Sequence, residues 1–386
     1  MGQSVLKLGG KVIESNLPKD ATFSLSTRSD LPSVLRSQKA YVVNNNEPIP
    51  DGFAHYVTTS DSNSFPTKRL SFTRLGEEFR YLGNDDVVSI SGDGHFRTLF
   101  RASSNHNSIL LTEQCDNYCL MCSQPPKRQN DQWILKEVSE LIPLIPQHTQ
   151  SLGITGGEPA ILGDNFINII RLCKNWLPHT AVHILSNGRK FSDPVFCQKY
   201  AAICHPDMMV GIPVYSDDPA RHDYVVQAKG AFDETIRGIL NLKKLNQRVE
   251  IRVVIHKQTY ERLPFLAEFI ARNLLFVDHV ALMGLEMMGF TRANLDLLWI
   301  DPVLYKDYLS DSVNILRSYG IRVSVYNHQL CLINEDIEPV YMKSISDWKN
   351  EYLPECDSCN RINDCGGFFS SGIRYGYSKF IKPFSD

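Results

Sequence analysis

The ten cysteines of this 386-residue chain are unevenly distributed, and most of them fall into two tight groups. The members of the two groups are Cys115, Cys119 and Cys122, and then Cys331, Cys356, Cys359 and Cys365. Cysteines only a few residues apart are poorly placed to form a disulfide with each other. Both groups are therefore interpreted as metal or cluster ligands.

The first group has the spacing C-x3-C-x2-C and directly follows a predicted strand. Three thiolates on one short loop can hold three irons of a [4Fe–4S] cluster and leave the fourth iron open. A zinc ion that takes a fourth ligand from elsewhere is the alternative that the spacing leaves open.

A second motif, Thr155-Gly156-Gly157-Glu158-Pro159, follows the next predicted strand. Paired glycines allow a ligand to approach the backbone closely, and the Glu158 carboxylate can receive an ammonium group. An ordinary turn between a strand and a helix is the alternative. Both motifs lie at the carboxyl ends of predicted parallel strands, where such folds place their active sites.

The elements that position these motifs alternate regularly from residue 108 onward. Apolar, β-branched runs predict six strands, at Ser108–Leu111, Ser151–Thr155, Ala181–Ser186, Met208–Tyr215, Val249–His256 and His279–Leu285. Helical patterns lie between them, at Asp131–Ile145, Asp164–Trp176, Asp193–Ile203, Ala231–Asn246 and Tyr260–Leu274. The first helix is expected to break at Pro143. The alternation predicts an α/β fold, a partial (β/α)6 barrel, with an open doubly wound sheet as the alternative.

The two flanks of this core differ from it in composition. Residues 1–104 predict a small β-rich domain with a hairpin at Gly92-Asp93-Gly94. The core is assigned to residues 105–310, and residues 311–386 are assigned to a loop-rich domain carrying the second cysteine group. A helix near Pro302–Tyr319 and a strand at Ile321–Tyr326 are predicted around that boundary.

Composition excludes several classes of protein. The net charge of -3 gives no electrostatic basis for a nucleic-acid partner. The longest apolar runs are far shorter than the roughly 20 residues that span a bilayer, and the first residues contain no signal-peptide pattern. We expect a cytoplasmic protein in a reducing compartment, without a membrane partner. The remaining cysteines, Cys173, Cys197 and Cys204, are expected to pack as small apolar residues.

Taken together, the first cysteine group and the Gly-Gly-Glu-Pro segment resemble the radical S-adenosylmethionine (radical SAM) superfamily. The resemblance implies a [4Fe–4S] cluster on Cys115, Cys119 and Cys122, and a SAM cofactor cleaved to a 5′-deoxyadenosyl radical. It also implies SAM contacts at Gly156, Gly157, Glu158, Ser186 and Arg252. Met121 stands where the family usually has an aromatic residue, and methionine can also pack against an adenine ring.

The segment Gly211–Phe232 resembles the fourth-strand region of peptide-modifying members of that superfamily. It keeps His222-Asp223 and Gly230-Ala231-Phe232. It departs from the pattern at Pro213, Tyr215 and Val226. The partner of the SAM carboxylate is therefore open between Arg252 and Arg189.

The C-terminal cysteines resemble the shortened "twitch" form of the SPASM auxiliary-cluster domain. The resemblance implies a second, auxiliary [4Fe–4S] cluster held by Cys331, Cys356, Cys359 and Cys365, with a structural zinc site as the alternative.

Three segments are similar to the HxsC-type maturase of the His-Xaa-Ser system, namely Leu110–Lys127, Met283–Glu286 and Ser344–Phe369. The resemblance implies a ribosomally made peptide substrate, a second radical SAM protein, a peptide-recognition protein and an external electron donor. Hydrogen abstraction from the peptide would then lead to a crosslink, an epimerisation or an oxidation. Action on a protein or a small molecule, and a non-catalytic metal-binding role, are the alternatives.

Overall fold

The computed structural model describes residues 7–43, 48–59, 70–343 and 350–385. In these ranges the chain forms one eight-stranded mixed sheet and one seven-stranded parallel sheet, with helices between the parallel strands. The predicted α/β class is confirmed. Residues 344–349, which begin one of the segments used for the family resemblance, lie outside the described ranges.

The parallel sheet carries the two functional motifs. Its strands are β9 (Asn107–Leu110), β10 (Ser151–Thr155), β11 (Ala181–Leu185), β12 (Met208–Pro213), β13 (Arg248–Val254), β14 (His279–Met283) and β15 (Val323–Tyr326). Each strand pairs in parallel with the one before it in the sequence, so the order is unbroken from β9 to β15. A doubly wound sheet would reverse its order at a switch point. The winding is that of a partial barrel.

All six predicted strands are present, and the sheet has one strand more. The strand predicted after the sixth unit is β15, and it pairs with β14 through Met283 and Tyr326 among others. The barrel sheet therefore continues into the segment that the sequence assigned to the C-terminal domain.

The α-helices connect the strands and flank the sheet. They are α1 (Ser33–Arg36), α2 (Gln132–Leu141), α3 (Asp164–Trp176), α4 (Pro194–Ala201), α5 (Pro219–Val226), α6 (Ala231–Lys244), α7 (Leu263–Asn273), α8 (Phe290–Ala293), α9 (Leu295–Leu298), α10 (Lys306–Ser318) and α11 (Ser370–Tyr375). As expected, the first core helix breaks at Pro143, because α2 ends at Leu141 and a short 3₁₀ turn, Ile142–Leu144, follows. Within the described residues, none of these helices is long and apolar enough to cross a membrane.

The strands of the parallel sheet separate an apolar face from a polar one. In β13, the side chains of Val249, Ile251 and Val253 are almost fully buried in the main core. Arg248, Glu250 and Arg252 alternate with them and point to the opposite face. The apolar face packs against the helices, and the polar face lines the inside of the barrel.

The mixed sheet forms the N-terminal β-rich unit. Its strands are β1 (Gly9–Lys11), β2 (Glu14–Ser15), β3 (Ala21–Ser26), β4 (Lys39–Val42), β5 (His55–Thr58), β6 (Phe72–Arg74), β7 (Val87–Ile90) and β8 (His95–Phe100), in the order β1-β8-β7-β3-β4-β5-β6-β2. The predicted hairpin is confirmed, because β7 and β8 pair antiparallel around Gly94, whose φ is +85°.

This sheet is fastened to the barrel through helix α2. Arg97 on β8 pairs with Glu137 and stacks over the Trp133 ring, 4.5 Å from its centroid. The Thr22 hydroxyl on β3 donates a hydrogen bond to Glu140. Helix α2 also follows the first cysteine group, so the N-terminal sheet supports the element next to that loop.

After β15, the described residues of the C-terminal segment form loops, three short 3₁₀ turns (Leu330–Leu332, Glu335–Val340 and Pro354–Ser358), the short helix α11 and isolated bridges such as Glu351–Phe368. Cys173 and Cys197 are buried within α3 and α4, which confirms their expected packing. The same expectation is wrong for Cys204. It is exposed because it stands in the turn after α4, with a φ of +52°.

Helix α6 packs very closely against the loop that follows β11. A Cβ on Gly238 of α6 would lie 2.2 Å from the carbonyl oxygen of Gly188 and 3.3 Å from Cβ of Phe191. Only glycine at position 238 permits this contact, so α6 sets the position of the loop at residues 186–189.

We therefore expect Gly238→Ala to destabilise the protein by about 1–3 kcal/mol, because the added methyl group must displace either α6 or the loop. The matched control is Gly372→Ala in α11, where a Cβ meets no atom within 4 Å. The control should leave stability unchanged or raise it by up to about 1 kcal/mol. Urea unfolding of both variants tests this, and equal effects would contradict the steric argument.

Candidate functional site

The loop that carries the first cysteine group is held at its start by a buried carboxylate. Asp131 accepts hydrogen bonds from the Thr112 hydroxyl at 2.7 Å, from the Glu113 backbone N–H at 2.6 Å and from the Gln114 side chain at 2.9 Å. Burial opposes ionisation of Asp131, but these hydrogen bonds outweigh it and hold its pKa below the ordinary value. Residues 112–114 thus enter the cysteine loop in one fixed conformation.

The Gly-Gly-Glu segment is hydrogen-bonded directly to that entry. The Gly157 N–H donates to the Thr112 carbonyl and the Glu158 N–H donates to the Gln114 carbonyl, both at 2.8 Å. A Cβ on Gly157 would lie 2.2 Å from the Gln114 carbonyl oxygen, and one on Gly156 would lie 2.6 Å from that of Thr112. The two motifs found in the sequence form one backbone unit, and the glycines permit that contact.

Glu158 is a buried carboxylate within this unit. One oxygen, Oε1, accepts from the Ala160 N–H at 2.9 Å and from the Ser186 hydroxyl at 2.8 Å, and the other accepts from the Asn187 N–H. In the part of the chain that the structure describes, Glu158 has no ion-pair partner. Burial raises its pKa to about 7 despite the hydrogen bonds. A cation at Oε2 would relieve this unfavourable burial.

The loop after β11 connects Glu158 to the residues between the cysteines. The Asn187 side chain donates to Asp116 at 2.6 Å. Arg189 donates to the Asp116 carbonyl and the Asn117 side chain, each at 2.8 Å, and also to Glu234 at 2.6 Å. Arg189, one of the two candidates for the SAM carboxylate, is thus engaged in fixing the cysteine loop.

The three thiols of this loop lie close enough together to influence one another electrostatically. Burial, reinforced by neighbouring negative charges, raises the pKa of Cys115 to about 12, and burial also raises the pKa of Cys119 and Cys122. Within the described ranges, no three His, Cys, Asp or Glu side chains converge on one ion-sized point. A four-iron cluster does not require such convergence, because each thiolate binds a separate iron.

An apolar wall lies against the thiols. Met121 and Tyr215 are buried together with Val225, Val226 and Leu298. The backbone of the cysteine loop is held there as well, since Leu120 N–H donates to the Val225 carbonyl at 2.9 Å. Met121 and Tyr215, two of the departures from the family pattern, therefore line the same wall.

His222 and Asp223, which match the family pattern, form hydrogen bonds with the protein backbone. Asp223 accepts from the backbone N–H groups of Gly230 and Phe232 at the start of α6. His222 accepts from the Tyr215 N–H at 3.2 Å, and burial lowers its pKa to about 4, so it is neutral near pH 7.

Arg252 makes no hydrogen bond to the other four predicted SAM contacts among the described residues. It donates to Glu250 at 2.7 Å and to the sulfur of Met283 at 3.2 Å, inside the barrel. It lines a cavity of about 370 Å³, whose lining includes none of the glycine motif, Glu158 or Ser186. The structure thus brings together Gly156, Gly157, Glu158 and Ser186, whereas the contacts of Arg252 are with Glu250 and Met283.

The four C-terminal cysteines line one cavity, although Cys331 is 25 residues from the next of them in sequence. Backbone N–H groups point at two of the sulfurs. Cys365 Sγ accepts from Leu330 and Gly367, and Cys359 Sγ accepts from Phe384, each at 3.4 Å. These residues therefore form a second candidate centre with apolar and backbone walls.

Residues 109–270 match the family model described as the Radical SAM superfamily. This part of the chain is similar to the radical SAM superfamily, and the match covers less than half of the chain. The matched segment includes the first cysteine group, the Gly-Gly-Glu-Pro motif, the loop after β11 and Arg252. It ends before β14 and before the second cysteine group.

Three solved structures illustrate the similarity at low identity. SuiB from Streptococcus suis bound to S-adenosylmethionine is 16% identical, with a TM-score of 0.47 over 57% of this chain and 50% of SuiB. Native anSMEcpe with bound AdoMet and Cp18Cys peptide is 15% identical, with a TM-score of 0.44 over 57% of this chain and 62% of that chain. HemN from Escherichia coli, a coproporphyrinogen III oxidase described as a radical SAM enzyme, is 16% identical, with a TM-score of 0.45 over 56% and 52%.

The aligned part of this chain spans about half the length of SuiB and of HemN. At these TM-scores the similarity carries no conclusion about activity or substrate. No curated protein matches the chain.

Several residues of the site were not singled out from the sequence. Asp131, Asp116 and Asn117 hold the cysteine loop, and only their proximity to the motifs in sequence could have indicated them. Glu250 had a clearer signal, since it is a charged residue that alternates with apolar ones in a strand. Its partners were not predictable, because they come from neighbouring strands.

The raised pKa of Glu158 predicts an unusual pH dependence for the chain without cofactors. Because the pKa of Glu158 in the folded chain, about 7, lies above the ordinary value of 4.5, the stabilisation from this group is complete below pH 4.5 and is lost as the pH rises through 7. The full loss is about 3 kcal/mol. Urea unfolding between pH 5 and 8 should show this decline, and Glu158→Gln should remove it. The exposed Glu335→Gln is the control, and an unchanged slope in Glu158→Gln would contradict the assignment.

Proposed function

We propose that this protein is a radical SAM enzyme that modifies a ribosomally made peptide by hydrogen abstraction. The cofactor-binding site would combine a [4Fe–4S] cluster on Cys115, Cys119 and Cys122 with SAM on Gly156, Gly157, Glu158 and Ser186. When bound, the cluster and SAM would supply the 5′-deoxyadenosyl radical that abstracts the hydrogen.

The observation that carries this proposal is the hydrogen-bonded unit of the two motifs. The unit places a buried carboxylate, with no ion-pair partner among the described residues, beside a loop of three neighbouring thiols. A structural metal site has no need for such a carboxylate. An ammonium group at Glu158 Oε2 would lower the pKa of Glu158 and restore its ionised form.

The other residues of the unit have separate tasks in this proposal. Ser186 orients Glu158 by its hydrogen bond to Oε1. Arg189 and Asn187 keep the cysteine loop in place through Asp116. Met121 and Tyr215 form the apolar wall that keeps water away from the thiols. A SAM carboxylate contact from Arg252 stays a prediction.

A second cluster on Cys331, Cys356, Cys359 and Cys365 is the further part of the proposal. The four residues line one cavity, and backbone N–H groups hydrogen-bond to two of the sulfurs. Such hydrogen bonds stabilise thiolates and tune the reduction potential of iron–sulfur centres. With four thiolate ligands the cluster would have no open iron, and electron transfer would be its role.

The peptide substrate rests on the resemblance of the sequence segments to the HxsC-type maturase. Among the structural neighbours, anSMEcpe is described with a bound peptide, but its TM-score of 0.44 adds no support. A second radical SAM protein, a peptide-recognition protein and an external electron donor are proposed on the same resemblance.

The proposed function is tested by anaerobic reconstitution with iron and sulfide, followed by dithionite and SAM. We expect about eight irons per chain and formation of 5′-deoxyadenosine. Cys119→Ala should lower the iron content by about half and abolish 5′-deoxyadenosine formation. Cys204→Ala, an exposed cysteine outside both groups, is the control and should behave as the wild type. Bound zinc without SAM cleavage would refute the enzyme assignment.

The ligand role of Cys331 has its own test, because this residue reaches the second centre from the end of the barrel. In Cys331→Ala we expect the second cluster to be lost or converted to a form with fewer irons, whereas the first cluster stays intact. Iron quantification with electron paramagnetic resonance of the reduced protein measures both. Wild-type iron content and spectra would show that Cys331 is not a ligand.

A further inference from the structure

The inside of the barrel contains a polar cavity at the opposite end from the glycine motif. It opens between the amino-terminal ends of β13, β14 and β15, where Arg248, Asp278 and Arg322 stand. It extends along the strands to Arg252, Met283 and Tyr326. Its volume of about 370 Å³ is in the range of pockets that hold small organic groups.

A buried cluster of ionisable groups forms the wall of this cavity. Glu250 has a side chain only 5% exposed and lies 2.7 Å from His279 Nδ1 and 2.7 Å from Arg252 Nη1. His183 Nε2 lies 3.4 Å from Glu250, and His279 Nε2 is 2.9 Å from the Ser324 hydroxyl. One carboxylate thus faces one guanidinium and two imidazoles, so Glu250 is well compensated.

The buried cluster occupies only part of the hydrogen-bonding capacity of the Arg252 guanidinium. One arm is held by Glu250, but the other contacts the Met283 thioether, which is a weak acceptor. Guanidinium groups bind carboxylates best through two parallel hydrogen bonds. Arg252 therefore presents a free donor edge that Glu250 holds in a fixed orientation.

Two further observations point to a ligand. His183 Nε2 contacts Glu250 only at 3.4 Å and makes no well-formed hydrogen bond within the described residues, and its side chain, 35% exposed, lines the cavity. Gly211 leaves the space for this arrangement, since a Cβ there would lie 2.9 Å from Arg252 Cδ and 3.0 Å from His183 Nε2.

At the mouth of the cavity, Arg322 carries a positive charge that is not paired within the described part of the chain. Arg248 pairs with Asp207, and Asp278 pairs with Lys243. Arg322, in contrast, has no ion pair within the described part of the chain. It precedes Ser324 by two residues, on the second strand along from Arg252. Strand spacings of about 4.8 Å and a rise of about 3.3 Å per residue put their Cα atoms about 12 Å apart, so that both side chains can reach one ligand.

We propose that this cavity binds a carboxylate of the substrate, an acidic side chain or a C-terminus, through Arg252 and Arg322. Glu250 is a positioning residue that orients Arg252. The identification of the ligand as substrate rests on the proposed function, but the carboxylate site itself does not, because its binding residues lie apart from both cysteine groups.

The test is isothermal titration of the full-length reconstituted protein with glutarate, and with glutaramide as its neutral analogue. We expect glutarate to bind and glutaramide not to bind. Arg252→Gln should weaken glutarate binding at least tenfold, and Arg252→Lys should fail to restore it, because lysine cannot form the paired hydrogen bonds. Arg322→Gln, at an exposed position that should not affect folding, should weaken binding about threefold or more.

The matched control is Arg237→Gln, on the exposed side of α6, which should leave glutarate binding unchanged. Absence of glutarate binding, equal binding of glutaramide, or equal loss in the control would overturn the proposal. Inorganic phosphate that binds as tightly as glutarate and with the same dependence on Arg252 would overturn the assignment to a carboxylate.

A final experiment distinguishes the two possible sources of the carboxylate, the substrate and SAM. Glutarate is titrated again in the presence of saturating SAM, and we expect its affinity to be unchanged. Competition by SAM would show that the free edge of Arg252 belongs to the SAM carboxylate, which overturns the substrate assignment. If 5′-deoxyadenosine is not formed but glutarate binding still depends on Arg252 and Arg322, the proposed function fails and the carboxylate site stands.

Discussion

The candidate cofactor site depends on one backbone contact. The N–H groups of Gly157 and Glu158 donate to the carbonyl groups of Thr112 and Gln114, and the two loops run so close that neither glycine could carry a side chain without displacing the other loop. This contact extends the pairing of β9 and β10 beyond the ends of the strands. It brings the buried Glu158 carboxylate to the cysteine loop. The remaining contacts of the site, from Asp131, Asn187 and Arg189, hold the two loops in that register.

Two buried glutamates show how the barrel distributes charge. Glu158, at the carboxyl end of the strands, accepts hydrogen bonds only from neutral donors in the described part of the chain, and burial raises its pKa. Burial would also raise the pKa of Glu250, but His183, His279 and Arg252 outweigh it and lower the pKa well below its usual range. One end of the barrel therefore has a carboxylate that favours an incoming cation, and the other end has cations that favour an incoming anion. The apolar wall of Met121 and Tyr215 lies next to the thiols.

The second cysteine group is tied to the barrel by a short chain of hydrogen bonds. The Tyr341 hydroxyl donates to the His328 carbonyl at 2.8 Å and accepts from the Gly366 N–H at 2.6 Å, next to Cys365. His328 is the second residue after β15, and its ring is hydrogen-bonded to the Tyr305 hydroxyl at 2.9 Å. These hydrogen bonds join the C-terminal loops to the last barrel strand. They help a segment with little regular secondary structure to hold four cysteines around one cavity.

The sequence alone determined the features that depend on local spacing. The cysteine groups, the glycine motif, six parallel strands, the break at Pro143 and the hairpin at Gly92–Gly94 follow from residue types within a few positions of each other. Tertiary structure decided what depends on distant parts of the chain meeting. It paired β15 with β14 as a seventh strand, engaged Arg189 with Asp116, and paired Arg252 with Glu250. Such contacts could not be predicted from one sequence, because the alternation within a strand shows which face a side chain occupies but not which side chains of neighbouring strands stand beside it.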